Sequence, residues 1–436
     1  MPSRRDVLRG VVAGSLVGLA GCTDETVSGE WPRAGYDRRN TGDATDRDGP
    51  GRSLTAAWSA SVPNSHNRHT PTVVDGRVYV GTASDDVGGD GTVGFRVFDA
   101  ADGDRLRDVT VTTGPTDGGS NWLLVDSLVV ADGAAYLVAH DGVHSYTLDG
   151  EERWHRPVAG QPQNTLHNAG HPAVVGDTVF APTASITDET SGTEGLLAID
   201  DASGELRWRY DVPRSSRFGW TYAPAYADGT VYLSMLNVGV VALAADSSEV
   251  EWLREVPAAG PPTVTDGTVF VALEREAMTG KGDGLGVWAF DAESGEVAWE
   301  DAGDGLLVGR RMAVANGRIY AREVFAGVAC LDAATGDTVW RYPDGAGNDF
   351  ESRPVPMGDA VYAGVNYSED DEKDGIVALD PATGDRVGGL GLDGSGSKSF
   401  NEARIVASEE RLFLYTRREV HAIEACTVDA FGRCLY

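Results

Sequence analysis

Short runs of alternating apolar residues, each broken by a two-residue turn, recur along the chain. The first run spans residues 72–79 and carries the turn Asp75-Gly76 between two apolar segments, the second of which ends in Tyr79. An Asp-Gly pair between such segments is a strong signal for a β-hairpin. Equivalent turns recur at Asp132-Gly133, Gly176-Asp177, Asp228-Gly229, Asp266-Gly267, Asn316-Gly317, Gly358-Asp359 and Glu409-Glu410. The pattern predicts eight hairpins.

A second pattern follows the hairpins: an apolar pair, Asp, a Gly turn and then Trp. Clear copies run over 198–208, 289–299 and 331–340, and weaker copies lie at 148–154, 244–252, 98–107 and 379–388. Two hairpins per repeat make a four-stranded antiparallel sheet, and radial repetition of such sheets is a β-propeller. We expect the recurring Trp to fill the wedge between adjacent blades.

The two ends of the repeat region complement each other. The last unit stops at residues 420–425 without a Trp strand, and an unpaired β run stands at residues 54–62, before the first hairpin. An N-terminal strand that completes the last blade would close the ring and remove exposed sheet edges. We therefore predict an all-β fold, a single eight-bladed β-propeller over residues 54–425, followed by a C-terminal tail over 426–436. Seven blades would require one hairpin to be an insertion, and the second unit, around Tyr136, is the weakest copy.

The first 22 residues resemble an export signal. The pair Arg4-Arg5 precedes an apolar stretch at 10–20 that is too short to cross a bilayer permanently, as in a Tat signal. Residues 19–22 resemble a lipobox that ends in Cys22, the residue that becomes lipidated. We expect the protein to be exported and anchored by Cys22 to the outer face of the cytoplasmic membrane.

Residues 23–53 read as a polar, Gly-rich tether between the signal and the repeats. Aromatic residues at Trp31 and Tyr36 interrupt this solvated composition. They suggest that the tether docks, as an arm, on the domain beneath it.

The charge balance excludes one class of partner. The chain has 36 Lys+Arg against 67 Asp+Glu, a net charge of −31, and only three of the basic residues are Lys. Nucleic-acid binding needs a basic footprint, so we do not expect it. An acidic, Lys-poor surface stays hydrated in concentrated salt, and the composition resembles that of proteins from halophilic archaea. The hydrophobic share of 41% is ample for a core.

The repeat itself carries a family resemblance. Units of the form Asp-Gly-x-Val-Tyr, followed by Ala-Leu-Asp, Gly and Trp, resemble the PQQ-like (pyrroloquinoline-quinone repeat) propellers, and among these the exported scaffolds of outer-membrane barrel assembly. The resemblance covers the whole mature chain. It implies the propeller fold, but not one function, because the repeat serves both dehydrogenases and non-enzymatic scaffolds.

The resemblance allows PQQ with Ca²⁺ as a cofactor, but two expected features are missing from the sequence. The quinoprotein dehydrogenases usually hold PQQ under a ring formed by adjacent cysteines, and many pass electrons to a Cys-x-x-Cys-His haem site. The four cysteines here, Cys22, Cys330, Cys426 and Cys434, form neither motif. This argues against dehydrogenase activity and leaves the cofactor unknown.

The remaining cysteines and one sequon predict covalent features. Cys426 and Cys434 flank the C-terminal tail, and an exported setting favours a disulfide between them. Cys330 lies in an apolar strand and reads as a buried small hydrophobe. Asn366 begins an Asn-Tyr-Ser sequon and is a glycosylation candidate. The nearby acidic loop 368–374 matches no calcium loop, and no metal site is predicted.

One set of residues should line the rim of the central channel, because each precedes or begins the innermost strand of a blade. Arg, His and Trp around a concave mouth suit a planar or anionic ligand. The alternative is that these side chains hydrogen-bond one another and water. The set is His69, Trp122, His167, His171, Trp220, Arg310, Arg311, Arg353 and Arg404.

Two functions remain open on the sequence. The leading hypothesis is a membrane-tethered, non-enzymatic scaffold that binds a protein partner or a small anionic or planar ligand at its channel face. The alternative is a quinoprotein-type, PQQ-dependent oxidoreductase, or another small-ligand enzyme, that uses the same mouth.

Overall fold

A computed structural model describes most of the repeat region and the arm before it. The described residues are 31–62, 70–84, 90–115, 128–139, 141–158, 170–183, 195–212, 221–236, 238–274, 285–300, 308–323, 327–343, 353–365, 375–392, 404–416 and 419–426. They form eight four-stranded antiparallel sheets and no helix. Accordingly, this part of the chain holds no apolar helix of membrane-spanning length.

The strands follow the chain blade by blade. Blade 1 is β2 (Thr72–Val74), β3 (Arg77–Ser84), β4 (Asp90–Asp99) and β5 (Arg105–Pro115); blade 2 is β6 (Val129–Ala131), β7 (Ala134–Ala139), β8 (Gly142–Thr147) and β9 (Glu152–Pro157). Blade 3 is β10 (Ala173–Val175), β11 (Thr178–Thr183), β12 (Gly195–Asp200) and β13 (Leu206–Asp211); blade 4 is β14 (Ala225–Ala227), β15 (Thr230–Met235), β16 (Gly239–Ala244) and β17 (Val250–Arg254).

The second half continues the pattern. Blade 5 is β18 (Thr263–Thr265), β19 (Thr268–Glu274), β20 (Leu285–Asp291) and β21 (Val297–Glu300); blade 6 is β22 (Val308–Ala315), β23 (Arg318–Glu323), β24 (Gly327–Asp332) and β25 (Thr338–Pro343). Blade 7 is β26 (Val355–Met357), β27 (Ala360–Val365), β28 (Gly375–Leu379) and β29 (Arg386–Gly391); blade 8 is β30 (Arg404–Ser408), β31 (Arg411–Tyr415), β32 (Glu419–Ala425) and β1 (Leu54–Ser61).

The ring closes through its first strand, as the sequence predicted. β1 pairs antiparallel with β32, from Leu54 opposite Ala425 to Ser61 opposite Glu419. The first strands contact each other in at least seven of the eight pairs of neighbouring blades, so these strands surround the axis. The prediction of an all-β, eight-bladed propeller closed by an N-terminal strand is confirmed.

The two-residue turns between the first and second strands have the geometry that the sequence demands. Their first residue has a positive φ in all eight blades, as in the type I′ turn that matches the twist of paired strands. These residues are Asp75, Asp132, Gly176, Asp228, Asp266, Asn316, Gly358 and Glu409.

The recurring Trp packs between blades. Trp252 of blade 4 donates its indole N–H to the Ala292 carbonyl of blade 5 at 2.9 Å, and its ring lies against Gly295 in the same turn. The equivalent bonds run from Trp154 to Asp201, Trp208 to Ala245, Trp299 to Ala333, Trp340 to Pro381 and Trp58 to Ala100. The predicted wedge role is therefore confirmed, and each Trp also ties one blade to the next.

Candidate functional site

The centre of the ring is filled by residues 31–49, which we call the axial arm. Trp31 exchanges two backbone hydrogen bonds with Val73 of blade 1, at 2.7 and 2.8 Å. Further backbone bonds reach blades 2, 4, 5, 6 and 7 in ring order. They join Val130 to Pro32, Tyr226 to Arg38, Val264 to Arg39, Val314 to Thr41 and Ala44 to Pro356. The arm thus supplies partners to innermost-strand backbone groups that would otherwise face the axis.

Two side chains of the axial arm anchor it to blades 4 and 5. Arg33 donates from Nη2 to the Asn40 Oδ1 atom and to the Pro224 carbonyl, both at 2.9 Å. The Asn40 amide nitrogen in turn donates to the carbonyls of Pro262 at 2.9 Å and Pro224 at 3.3 Å. Both side chains are buried. They therefore connect two distant parts of the arm to two blades at once.

The Arg33 guanidinium is unusual because it is buried without an ion-pair partner among the described residues. Its Nε and Nη1 atoms have no hydrogen-bond partner there. Burial lowers the pKa of Arg33 to about 10, and the charge of Asp37 opposes this shift. The group remains charged at neutral pH and places a positive charge inside an acidic protein.

A second pair in the axial arm reaches blade 8. The Arg47 guanidinium lies 5.0 Å from the centroid of the Tyr36 ring, and its Nη2 donates to the Tyr36 hydroxyl at 3.2 Å. Its Nη1 donates to the Ala407 carbonyl of β30 at 3.1 Å. Blade 8 is thereby held through a side chain.

Four of the predicted rim residues have described side chains, and three of them are buried. Arg353 donates from Nη1 to the Ala34 carbonyl of the axial arm at 3.2 Å. His171, just before β10, has its Nδ1 atom 3.2 Å from the Pro172 carbonyl. Arg404 begins β30 and is 2% exposed, whereas Arg311 in β22 is partly exposed. The buried groups face protein, and Arg353 holds the arm.

The other predicted positions lie outside what the structure describes. Arg310 lies in β22, but its side chain is among those left undescribed. Cys426 forms a disulfide, and its predicted partner Cys434 is outside the described residues, so that pairing stays a prediction. Also outside are His69, Trp122, His167, Trp220, Cys22 and Asn366.

The axial arm occupies the part of the axis at which PQQ could otherwise bind. At the level of the innermost strands the axis holds Trp31, Arg33 and Asn40, each no more than 3% exposed. PQQ does not fit beside them at this level, and we assign no redox step to it. At this level the described axis is occupied by the chain's own arm, which also places the charge of Arg33 there.

A second group of chemically competent side chains lies in blade 2, away from the axis. Asp141, His144 and His155 bring one carboxylate and two imidazoles together, with their donor atoms all within 4.8 Å of one another. The sequence analysis missed this group, because the second unit looked like a degenerate copy of the repeat. The signal was present in the strand register, where His144 stands directly opposite His155.

Comparisons with known proteins identify the repeat. A family model described as outer membrane protein assembly factor BamB matches residues 55–185, 112–300 and 287–388. No curated protein matches the chain.

Solved structures of similar shape include a BamB protein and alcohol dehydrogenases. BamB from Moraxella catarrhalis is 16% identical, with a TM-score of 0.58 over 85% of this chain and 97% of that one. Quinohemoprotein alcohol dehydrogenase from Comamonas testosteroni is 14% identical, with a TM-score of 0.63 over 94% of this chain and 82% of that one. A europium-containing methanol dehydrogenase is 13% identical, with a TM-score of 0.61 over 91% and 98%. At these identities the similarity shows the fold alone.

Proposed function

The chain belongs to the family described as outer membrane protein assembly factor BamB, and from this membership we propose that it is a non-enzymatic binding scaffold. In this proposal the protein is exported by the Tat signal and tethered by lipidated Cys22 to the outer face of the cytoplasmic membrane of a halophilic archaeon. It binds a protein partner, or a small anionic or planar ligand, at the channel face of the propeller.

The observation that carries this proposal is the axial arm. A propeller enzyme needs an accessible cavity near its axis, whereas here the innermost strands of blades 1, 2, 4, 5, 6 and 7 are hydrogen-bonded to the chain's own N-terminal segment. Such a plug stiffens the ring and leaves recognition to the surface around the channel. Rigid scaffolds that carry binding groups on connecting loops are a common use of this kind of fold.

Charge supports the same face. In a chain of net charge −31, Arg311 lies within the innermost strand of blade 6, Arg353 lies just before that of blade 7, and Arg404 begins that of blade 8. Arg311 is the member of this set that retains a partly exposed side chain. A partner that presents acidic or planar groups would be complementary to it.

Site-specific photo-crosslinking in the native membrane tests the proposal. A photo-reactive residue at position 311 should give a discrete adduct with an envelope component. The same residue in place of Arg209, an exposed position on outer strand β13, should give none. Equal labelling at both positions, or no adduct at either, would contradict a binding face at the channel.

A thermal melt with PQQ and Ca²⁺ in high salt separates the scaffold from the oxidoreductase. A ligand that binds only the folded state raises the melting midpoint by mass action. We expect no shift at saturating cofactor. A saturable rise would overturn the scaffold proposal and favour a quinoprotein oxidoreductase.

A further inference from the structure

Blade 2 differs from blades 3–7 at one polar position on its third strand. His144 lies on β8 directly opposite His155 on β9, and the two imidazole rings stack with centroids 4.1 Å apart and planes 6° apart. The equivalent third-strand residues of blades 3–7 are apolar: Leu197, Val241, Trp288, Ala329 and Val377. The fold therefore does not need a polar group here.

The buried position of His144 destabilises the folded state, because one of its ring nitrogens has no hydrogen-bond partner in the part of the chain that the structure describes. His144 is 2% exposed, and its Nδ1 atom has no hydrogen-bond partner among the described residues. A buried polar atom without a partner destabilises the folded state, because it has lost its hydrogen bonds to water. The other ring nitrogen, Nε2, is 2.8 Å from Oδ1 of Asp141. All the polar capacity of this buried ring is thus directed at one carboxylate.

His155 is aimed at the same carboxylate from the outer strand. Its Nε2 atom lies 3.9 Å from Oδ2 of Asp141, so each carboxylate oxygen faces one imidazole nitrogen. The ligand atoms of one tetrahedral Zn²⁺ lie about 3.3 Å apart, because each is about 2.0 Å from the metal. The two nitrogen–oxygen distances, 2.8 and 3.9 Å, bracket that value. His155 is part-exposed, and its Nε2 atom also lies 3.4 Å from the Asp141 carbonyl oxygen, whereas His144 is buried.

The carboxylate is itself oriented by the neighbouring blade. The hydroxyl of Thr112 on β5 donates to Oδ2 of Asp141 at 3.0 Å. The hydroxyl of Tyr146, beside His144 on the same face of β8, donates to the Val111 carbonyl of β5 at 3.3 Å. Fixing a ligand through such outer contacts is typical of metal sites in proteins.

We propose that Asp141, His144 and His155 bind one Zn²⁺ ion at the seam between blades 1 and 2. Two imidazole nitrogens and one carboxylate oxygen are ligands that Zn²⁺ prefers, and three protein ligands leave a fourth position for water or for a ligand from outside. The bound ion joins β8, β9 and, through Thr112, the outer strand of blade 1.

Calorimetric titration with Zn²⁺ tests the site on the mature chain, metal-free and without a histidine tag. The wild type should bind one equivalent in a single saturable event. His155→Ala and Asp141→Asn should each lower the affinity at least 10-fold. Because His155 is part-exposed on an outer strand, its replacement should leave the fold intact, which a melt without metal checks.

His421 provides a matched control. It occupies the equivalent third-strand position in blade 8 and lies 3.5 Å from the carboxylate of Glu419, but Ser59 stands opposite it in place of a second histidine. His421→Ala should bind Zn²⁺ as tightly as the wild type. Equal loss in both variants, or weak binding without a stoichiometric end point, would show only adsorption to the acidic surface and would overturn the proposal.

A second measurement does not depend on calorimetry. Zn²⁺ should raise the melting midpoint of the wild type and of His421→Ala, but not that of His155→Ala, because only a ligand of the folded state stabilises it. Co²⁺ in place of Zn²⁺ should give a visible absorption band that His155→Ala abolishes. An unchanged midpoint in the wild type at saturating Zn²⁺ would contradict the site.

Discussion

The contacts in the outer part of the propeller recur from blade to blade, whereas the contacts at its axis do not recur. Around the ring, a Trp of one blade repeatedly packs against the turn of the next, as Trp252 does on Gly295 and Trp340 on Gly384. At the axis, one segment makes a different contact with each blade that it meets. Asn40, for example, reaches Pro262, 222 positions further along the chain. The repeated outer contacts therefore define the fold, and the contacts of the axial arm are particular to this chain.

The difference has an energetic side. A repeated contact can weaken in one blade while its copies persist, as blade 7 shows by lacking the Trp after its turn. The contacts of the axial arm have no second copy. Substitutions of similar chemistry should therefore cost more stability in the axial arm than in the repeated turns of the blades.

The largest difference is expected for Asn40→Asp. The new side chain keeps the oxygen that accepts from Arg33, but it cannot donate to the carbonyls of Pro224 and Pro262. It also places a carboxylate in a fully buried position, where an ion pair with Arg33 offsets only part of the cost because one carboxylate oxygen faces two carbonyl oxygens. We expect a loss of about 3 kcal/mol or more in the free energy of unfolding, measured by urea denaturation in high salt.

Asn316→Asp is the matched change in one of the repeated turns. Asn316 begins a turn in which the equivalent residues of four other blades, Asp75, Asp132, Asp228 and Asp266, are already Asp with the same positive φ. We expect a change within about 0.5 kcal/mol. Equal losses of unfolding free energy at residues 40 and 316 would contradict the distinction between the axial arm and the repeated turns.

An intermediate effect is expected for two glycines of blade 5. Gly295 and Gly267 have φ values of +66° and +72°, so alanine is strained at both by about 1 kcal/mol. A Cβ at Gly295 would also come within 2.5 Å of the Trp252 ring, whereas nothing lies within 4 Å of one at Gly267.

Gly295→Ala should therefore lose a further 1–3 kcal/mol or so, compared with Gly267→Ala, because the Trp252 ring must move. Thermal or urea unfolding of both variants measures this difference. In a Trp252→Ala background the two glycine variants should become equal. A difference that persists there would mean that the Trp contact is not its cause.

Much of the fold could be predicted because it repeats and because its contacts are local in sequence. Each hairpin joins neighbouring strands, and the strand missing from the last blade could be matched to the extra run at residues 54–62. The site could be predicted less well. Arg353 was expected to face a ligand, and in the structure it donates a hydrogen bond to the Ala34 carbonyl. This contact could not be predicted, because a hydrogen bond between segments more than 300 positions apart leaves no periodic pattern in the sequence. His144 and His155 could have been found by aligning the third and fourth strands of all blades.

A small effect is expected at Cys330, another departure from the repeat. Blades 3, 4, 5, 7 and 8 have alanine at this third-strand position, namely Ala198, Ala242, Ala289, Ala378 and Ala422. Cys330 is fully buried and belongs to the seam between blades 6 and 7. Cys330→Ala should therefore cost about 1 kcal/mol or less in the free energy of unfolding.

Thiol labelling distinguishes this inert departure from the metal-binding one proposed in blade 2. Burial raises the pKa of the Cys330 thiol to about 12, so almost no thiolate exists at pH 8 and the native protein should resist an aromatic disulfide reagent. Labelling should appear only along the urea unfolding transition. Zn²⁺ should shift that transition in the wild type and in Cys330→Ala alike. Rapid labelling of the native state would mean that the seam between blades 6 and 7 opens, and that a buried departure from the repeat can remain chemically accessible.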